Sequence, residues 1–307
     1  MQNTDINMAA TAGTEESAIT AKKPESEWKD FGKFLIKLAI FMMILRSFIA
    51  SPFNIPSESM HPRLLIGDYL LVAKWPYGYS KHSIVFGLPI IPGKIFASLP
   101  KRGDVAVFKA PPTQRDDYIK RIIGLPGDQI QMRGGVLFIN DIAVKKQRIS
   151  DFVIPVTQNM KDAANLEAQS NGTPPSPCYR SEFEQAAASG GTQCRYPRYR
   201  ETLPAGKSYE ILDLGFGFGD QDSGIDADNT PAYIIPENHV FAMGDNRDRS
   251  SDSRFPAREG GAIGLIPVEN LVGRAMFTVF STDGSANWLL PWTWFTAARW
   301  NRVGEGF

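Results

Sequence analysis

Eight short runs of β-branched and aromatic residues constrain this chain most: Tyr69–Ala73, Val105–Lys109, Tyr118–Ile123, Gln129–Met132, Val136–Ile139, Tyr233–Ile235, Val240–Met243 and Leu271–Phe280. Turn-forming residues separate them, and 27 Gly and 22 Pro lie scattered among them. Such runs pair as strands, so the expected fold is mainly β, an antiparallel sheet of barrel-like form. Residues 150–230 change character, with Asn171-Gly172-Thr173-Pro174-Pro175, Ser189-Gly190-Gly191 and Gly215-Phe216-Gly217-Phe218-Gly219. They read as a loop-rich, β-containing second lobe inserted into a main β domain made of 51–149 and 231–285.

The N-terminal part is different. Residues 1–26 are polar without apolar periodicity and read as a disordered tail. Phe34 to Ala50, FLIKLAIFMMILRSFIA, is apolar at 14 of 17 positions. Three readings compete: a single membrane anchor over 31–50, a cleaved secretory signal, and a buried core helix. Bulky Phe48 weighs against cleavage, and Lys37 and Arg46 are what favours a core helix. The anchor is the preferred reading. Lys22, Lys23, Lys29, Lys33 and Lys37 precede or open it, which keeps the N-terminus cytoplasmic and exports the rest. Two later apolar stretches read as membrane-facing: the loop 84–99, and the tail 286–307 with Trp288, Trp292, Trp294 and Trp300 beside Arg299 and Arg302.

Thirty-three basic and 33 acidic side chains cancel, which gives no reason to expect a nucleic-acid partner. The two cysteines, Cys178 and Cys194, have no metal-ligand spacing. Export would permit a disulfide between them; the alternative is two free thiols. Asp220, Asp222, Asp226 and Asp228 lack the closing Glu of a calcium loop. Gly215-x-Gly217-x-Gly219 opens no helix, so it is not a nucleotide fingerprint.

Three segments carry chemistry. Pro56-Ser57-Glu58-Ser59-Met60-His61-Pro62 offers hydroxyls in a stiff turn, although most Ser-x-Ser turns are only capped turns. Tyr118-Ile119-Lys120-Arg121-Ile122-Ile123 places a lysine in an apolar strand. If Lys120 points inward, desolvation lowers its pKa toward that of a working base; otherwise Lys120 and Arg121 form a solvated basic pair. Gly244-Asp245-Asn246-Arg247-Asp248-Arg249-Ser250-Ser251-Asp252-Ser253-Arg254 is dense enough in polar groups to build a buried network, or to be a surface loop. A Ser59–His239–Asp245 triad is a further arrangement, without a nucleophile elbow to support it.

Taken in order, these segments resemble the bacterial type I signal peptidases. The resemblance rests on Arg46-Ser47-Phe48-Ile49, Pro52–Met60, Gly67-Asp68, Lys101–Phe108, Asp117–Asp128, Gly244–Arg254 and Asn270–Ala275, about a third of the chain. It implies a Ser–Lys dyad serine endopeptidase without metal or organic cofactor. Ser59 would be the nucleophile and Lys120 the general base. Ser57 Oγ and the Ser59 N–H would form the oxyanion hole, and Ser250 would hydrogen-bond and orient Lys120. Arg121, Asp245, Asp252 and Arg254 would be a structural ion network, with Met60 and Tyr118 near the substrate cleft. The implied partners are exported preproteins cut after Ala-x-Ala, membrane lipid and a nearby secretion translocon. The implied location is the bacterial plasma membrane, with the catalytic domain on the outer side. Four residues depart from the family pattern: Glu58 for Gly, His61 for Met, Arg63 for Thr and Arg249 for Asn. Glu58 is expected to raise the lysine's pKa modestly or to favour basic substrate flanks. The rival readings are a specialist for one conjugation or pilus precursor, and a catalytically silent anchored β-module.

Overall fold

The computed structural model describes residues 24–171, 176–188, 190–215, 219–220, 224–287 and 289–307. Most of the expected N-terminal tail, Trp288, Gly217 and Asp222 therefore lie outside the described residues. The chain divides into two compact units, Met1–Met42 and Met43–Phe307.

In the first unit, the described residues are helical. That helix, Pro24–Ile44, is followed by a π-helical turn, Leu45–Ile49, and Ala50 already begins a strand. The apolar run thus divides among three elements instead of forming one 31–50 helix. Charged residues such as Lys29, Asp30 and Lys33 occupy the helix's first half. Among the described residues no helix is long and apolar enough to cross a membrane.

The second unit is mainly β. Its principal sheet has seven strands in the order Ala50–Asn54, Asp68–Ala73, Leu271–Ser281, Val105–Lys109, Asp117–Gly124, His239–Met243 and Ile266–Pro267, all antiparallel. Bulges interrupt Leu271–Ser281 where it meets both neighbours, and His239–Met243 where it meets Asp117–Gly124. Bulges increase local twist and curl a sheet. Asp117–Gly124 lies inside the sheet, so from Lys120 to Gly124 every residue is buried. This explains its poor alternation: a strand covered on both faces does not separate polar from apolar positions. Beneath the Ser59 turn, Ile55, Met60, Leu64, Leu70, Val105 and Val107 form one core cluster.

A smaller sheet joins Tyr233–Ile234, Gln129–Arg133, Val136–Ile139 and Ile142–Ala143. The strand Lys145–Pro155 leads into the 150–230 region. Lys145–Pro155 pairs with Thr192–Thr202, which also pairs with Glu184–Ala186 and Ser208–Leu212. The lobe also holds a helix, Gln158–Asn171, in a region expected to be loops and strands. Its sequence, QNMKDAANLEAQSN, has good helix formers but too few apolar residues to show a stripe. Cys178 and Cys194 are joined as a disulfide, packed with Ile154, Met160 and Tyr196.

The C-terminal segment separates its tryptophans from its arginines. Trp292, Trp294 and Trp300 are exposed, but the two arginines beside them turn inward. Arg302 pairs with the fully buried Asp68 at 2.6 Å, and Arg299 reaches the same carboxylate at 3.6 Å. These cations hold the tail to the sheet and do not face outward with the tryptophans.

Candidate active site

Ser59 sits in a turn that cannot be helix or central strand, because Pro56 and Pro62 bracket it. The His61 N–H bonds Glu58 O at 2.9 Å and closes the turn. The 244–254 loop grips the turn from the other side. Asn246 donates its backbone N–H to Ser59 O at 3.1 Å and its side-chain amide to Glu58 O at 3.2 Å. This approach requires a glycine at 244. A Cβ there would stand 2.3 Å from Ser250 Oγ and 2.5 Å from Ser59 O.

The structure brings Ser59 and Lys120 together. Lys120 Nζ donates to Ser59 Oγ at 2.7 Å, and the two residues are 5% and 8% exposed. Burial pushes the Lys120 pKa down to about 8, against the pull of Asp252 and Asp245 and with a smaller push from Arg254. Desolvation penalises the ammonium more than the amine, which is why the shift is downward. A lysine near 8 is neutral in an appreciable fraction of molecules at neutral pH and can then accept a hydroxyl proton. Ser57 Oγ lies 3.5 Å from Ser59 Oγ, on the cleft side. The Ser59 N–H makes no hydrogen bond among the described residues. A cleft of about 370 Å³ opens over this pair, lined by Phe53, Ile55, Val107, Tyr118 and Ile119 among others.

The four charged residues expected to form a network are two bidentate pairs. Arg121 holds Asp245 at 2.7 and 2.6 Å, and Arg254 holds Asp252 at 2.8 and 2.9 Å, all buried. Burial works to raise Asp252, but the Arg254 guanidinium outweighs it and holds the carboxyl below its ordinary range. A third buried pair lies beside them: Arg247 clamps Glu201 at 2.7 and 2.5 Å, and Tyr209 donates to the same carboxylate. It ties the loop to the lobe. The density of charge in 244–254 was the only sequence signal for it.

Met60 is fully buried and packs with Ile55 and Val107, which line the cleft, whereas Tyr118 lines it directly. Several expectations are corrected. No Ser250–Lys120 hydrogen bond is present. Ser250 Oγ is buried without a hydrogen bond of good geometry, although it helps hold Asp252 low. No Ser59–His239–Asp245 triad forms, because Asp245 is committed to Arg121 and the His239 ring bonds Glu237 O. Glu58 is not among the acids acting on Lys120. Arg249 holds it at 2.5 Å and pairs as well with Glu167 of the lobe helix, at 2.9 and 2.5 Å. The two departures Glu58 and Arg249 are therefore partners. His61 is buried against Phe152 of the lobe, and burial pushes its pKa down to about 4. Arg63 pairs with Glu305 at 2.8 Å.

The family model described as "Signal peptidase, peptidase S26" matches residues 28–280. This chain belongs to the S26 signal peptidase family. The signal peptidase I of Rickettsia canadensis (strain McKiel) is 33% identical over 298 residues, covering 92% of this chain and 94% of that protein. That of Rickettsia akari (strain Hartford) is 35% identical over 274 residues, covering 88% and 84%. A solved signal peptidase I from Enterococcus faecalis V583 matches 58% of this chain and 97% of its own, at 19% identity and a TM-score of 0.26. As a member of the S26 family the chain is a serine peptidase, and its mainly β fold with a curled antiparallel sheet accords with that membership.

Proposed function

We propose that this S26 peptidase removes N-terminal signal peptides from exported preproteins after small residues, using Ser59 as nucleophile and Lys120 as general base. The observation that carries the reading is the 2.7 Å Lys120–Ser59 contact inside a buried setting that depresses the lysine. An ammonium locked to an exposed carboxylate would lack this property.

In this reading neutral Lys120 takes the Ser59 proton as Oγ attacks the scissile carbonyl. The Ser59 N–H and Ser57 Oγ–H stabilise the developing oxyanion. The lysine then protonates the leaving amine, and in its neutral form activates the water that hydrolyses the acyl-enzyme. Gly244 and Asn246 are positioning residues, since they set where the Ser59 backbone lies. The substrate runs as an extended strand along the cleft, past Phe53 and Ile55 of its lining, and small side chains are the ones it accepts there. We read 51–149 and 231–285 as the catalytic domain and the lobe as an insertion in it.

We also propose anchoring by the Pro24–Ile44 helix, N-terminus in the cytoplasm. Twenty-one residues make a helix of about 30 Å. From Phe34 to Ile44 its apolar side chains are exposed around the axis, including Phe34, Leu35, Ile36, Leu38, Ile40 and Phe41. A helix apolar on every side needs an apolar surrounding. The substrates are exported precursors and the site works at the outer face of the plasma membrane, near the translocon. The test is incubation of the full chain with a precursor bearing an Ala-x-Ala site, beside Ser59→Ala and Lys120→Ala. Cleavage by the parent alone supports the reading. Cleavage surviving Lys120→Ala, or no cleavage of several precursors by folded parent, would defeat it.

A further inference from the structure

A second cavity, about 680 Å³, adjoins the cleft through Phe53 and Asp117. Its lining has a one-sided charge: Arg46, Lys74, Lys81 and Lys109 against the single acid Asp117, with His82 held neutral by burial beside them. That acid is already committed, since Lys109 Nζ bonds it at 3.0 Å and also bonds Arg115 O. Arg46, Lys74 and Lys81 make no ion pair and no side-chain hydrogen bond among the described residues. Lys74 is the telling one. It is 4% exposed, yet its only described side-chain interaction is with the Phe53 ring, 5.6 Å from Nζ. A buried cation is normally paired, because an unpaired one carries its full desolvation penalty. Here burial, with Lys109 and Arg46 adding repulsion and Asp117 opposing, pushes its pKa down to about 8. An anion in the cavity would relieve both penalties.

Position says where such an anion comes from. Arg46 lies in the turn that ends the N-terminal apolar run, and Ile84, Val85 and Gly87 of the cavity wall open the 84–99 loop. That loop exposes Leu88, Ile90, Ile95 and Phe96 to 44%, 69%, 41% and 82%. A basic cavity bordered by exposed apolar residues matches a group that is anionic and attached to a hydrocarbon chain. We propose that this cavity binds the phosphate of an anionic phospholipid headgroup, held by Arg46, Lys74 and Lys81, beside the substrate cleft. The proposal rests on the membrane reading above but names a site that reading does not require. Through shared Phe53 and Asp117, an occupied cavity would fix the near wall of the cleft.

The test uses the full chain in a neutral maltoside detergent and follows its thermal midpoint. Dihexanoylphosphatidylglycerol, dihexanoylphosphatidylcholine and inorganic phosphate are titrated separately, because a ligand that binds only the folded state raises the midpoint saturably. The expected result is a saturable rise with the glycerol lipid, at least tenfold weaker binding of free phosphate, and no rise with the choline lipid. Lys74→Met and Arg46→Gln should each weaken the glycerol lipid at least tenfold. If either fails to fold, exposed Lys81→Gln should weaken it severalfold. Equal effects of phosphate and the glycerol lipid would make this a free-anion site and overturn the lipid assignment. Equal effects of both lipids, or undiminished binding to the variants, would overturn the site itself. Saturable binding of a signal peptide with an acidic flank, but not of the glycerol lipid, would make the cavity an extension of the substrate cleft instead. Alkaline carbonate extraction tests the anchor separately: release from membranes would end the anchor reading while the titration still decides the cavity.

Discussion

Lys120 and Lys74 are buried to nearly the same degree, and burial brings each to a pKa of about 8, yet their surroundings are opposites. Lys120 has a hydroxyl at 2.7 Å and two aspartates near enough to pull on its charge. Lys74 has an aromatic ring, neighbouring cations and an open cavity. A third lysine, Lys94, reaches a similar value while donating to the backbone carbonyls of Val268 and Leu271. A depressed lysine is therefore not in itself the mark of a base. What distinguishes Lys120 is the acceptor it faces, and geometry separates three roles that electrostatics alone would merge.

The sharpest way to break this comparison is to remove each side chain in turn. Ser59→Ala and Lys120→Met should each lower kcat for precursor cleavage by at least ~10³-fold, as expected when members of a nucleophile–base pair are lost. Lys74→Met should keep kcat within about threefold in detergent without anionic lipid, since it touches no reacting atom. Comparable losses would erase the distinction. Next comes Gly244→Ala, whose new methyl must displace Ser250 or the Ser59 carbonyl. A misplacement of about 1 Å at a reacting group costs on the order of 10²-fold, so kcat should fall by about that factor.

The pH dependence sharpens the comparison further. kcat/KM should rise with pH through about 8, because only neutral Lys120 accepts a proton, and Lys74→Met should leave that limb in place. Stability behaves differently. Both lysines titrate near 8 when folded and at 10.5 ordinarily, so between these values the unfolded chain holds more protons and stability rises with pH. Denaturant titration should show Lys74→Met more stable than the parent at pH 7, by up to about 3 kcal/mol, with the advantage shrinking between pH 8 and 10.5. The smallest effect is expected at the Glu58–Arg249 pair, whose ion pairs are with each other and Glu167 and with neither lysine. Glu58→Gly and Arg249→Asn should each raise KM or lower stability more than the double variant does, with a coupling of about 1 kcal/mol in a double-mutant cycle.

Much of the principal sheet was legible because its strands are β-branched runs between turn residues; Val105–Lys109 matches to the residue, as does Val136–Ile139 of the smaller sheet. The facing of Lys120 was not legible, because a strand buried on both sides has no alternating signature. The lobe helix was hidden by its polarity. The Glu58–Arg249 contact joins residues 191 apart, and nothing local in either segment announces the other. The Ser59 and Lys120 segments could be singled out one at a time; what the sequence could not supply was their separation of 2.7 Å, since they stand 61 residues apart in the chain.

The order of strands has a consequence for how such a molecule comes into being. Leu271–Ser281 lies between Asp68–Ala73 and Val105–Lys109, so the strand that follows the Ser59 turn and the strand preceding the Lys120 strand are neighbours only through it. A chain delivered N-terminus first presents Ser59 and Lys120 long before this spacer arrives. The contact between Ser59 and Lys120 therefore waits for nearly the whole polypeptide, and a half-delivered chain has both side chains without the sheet that joins them.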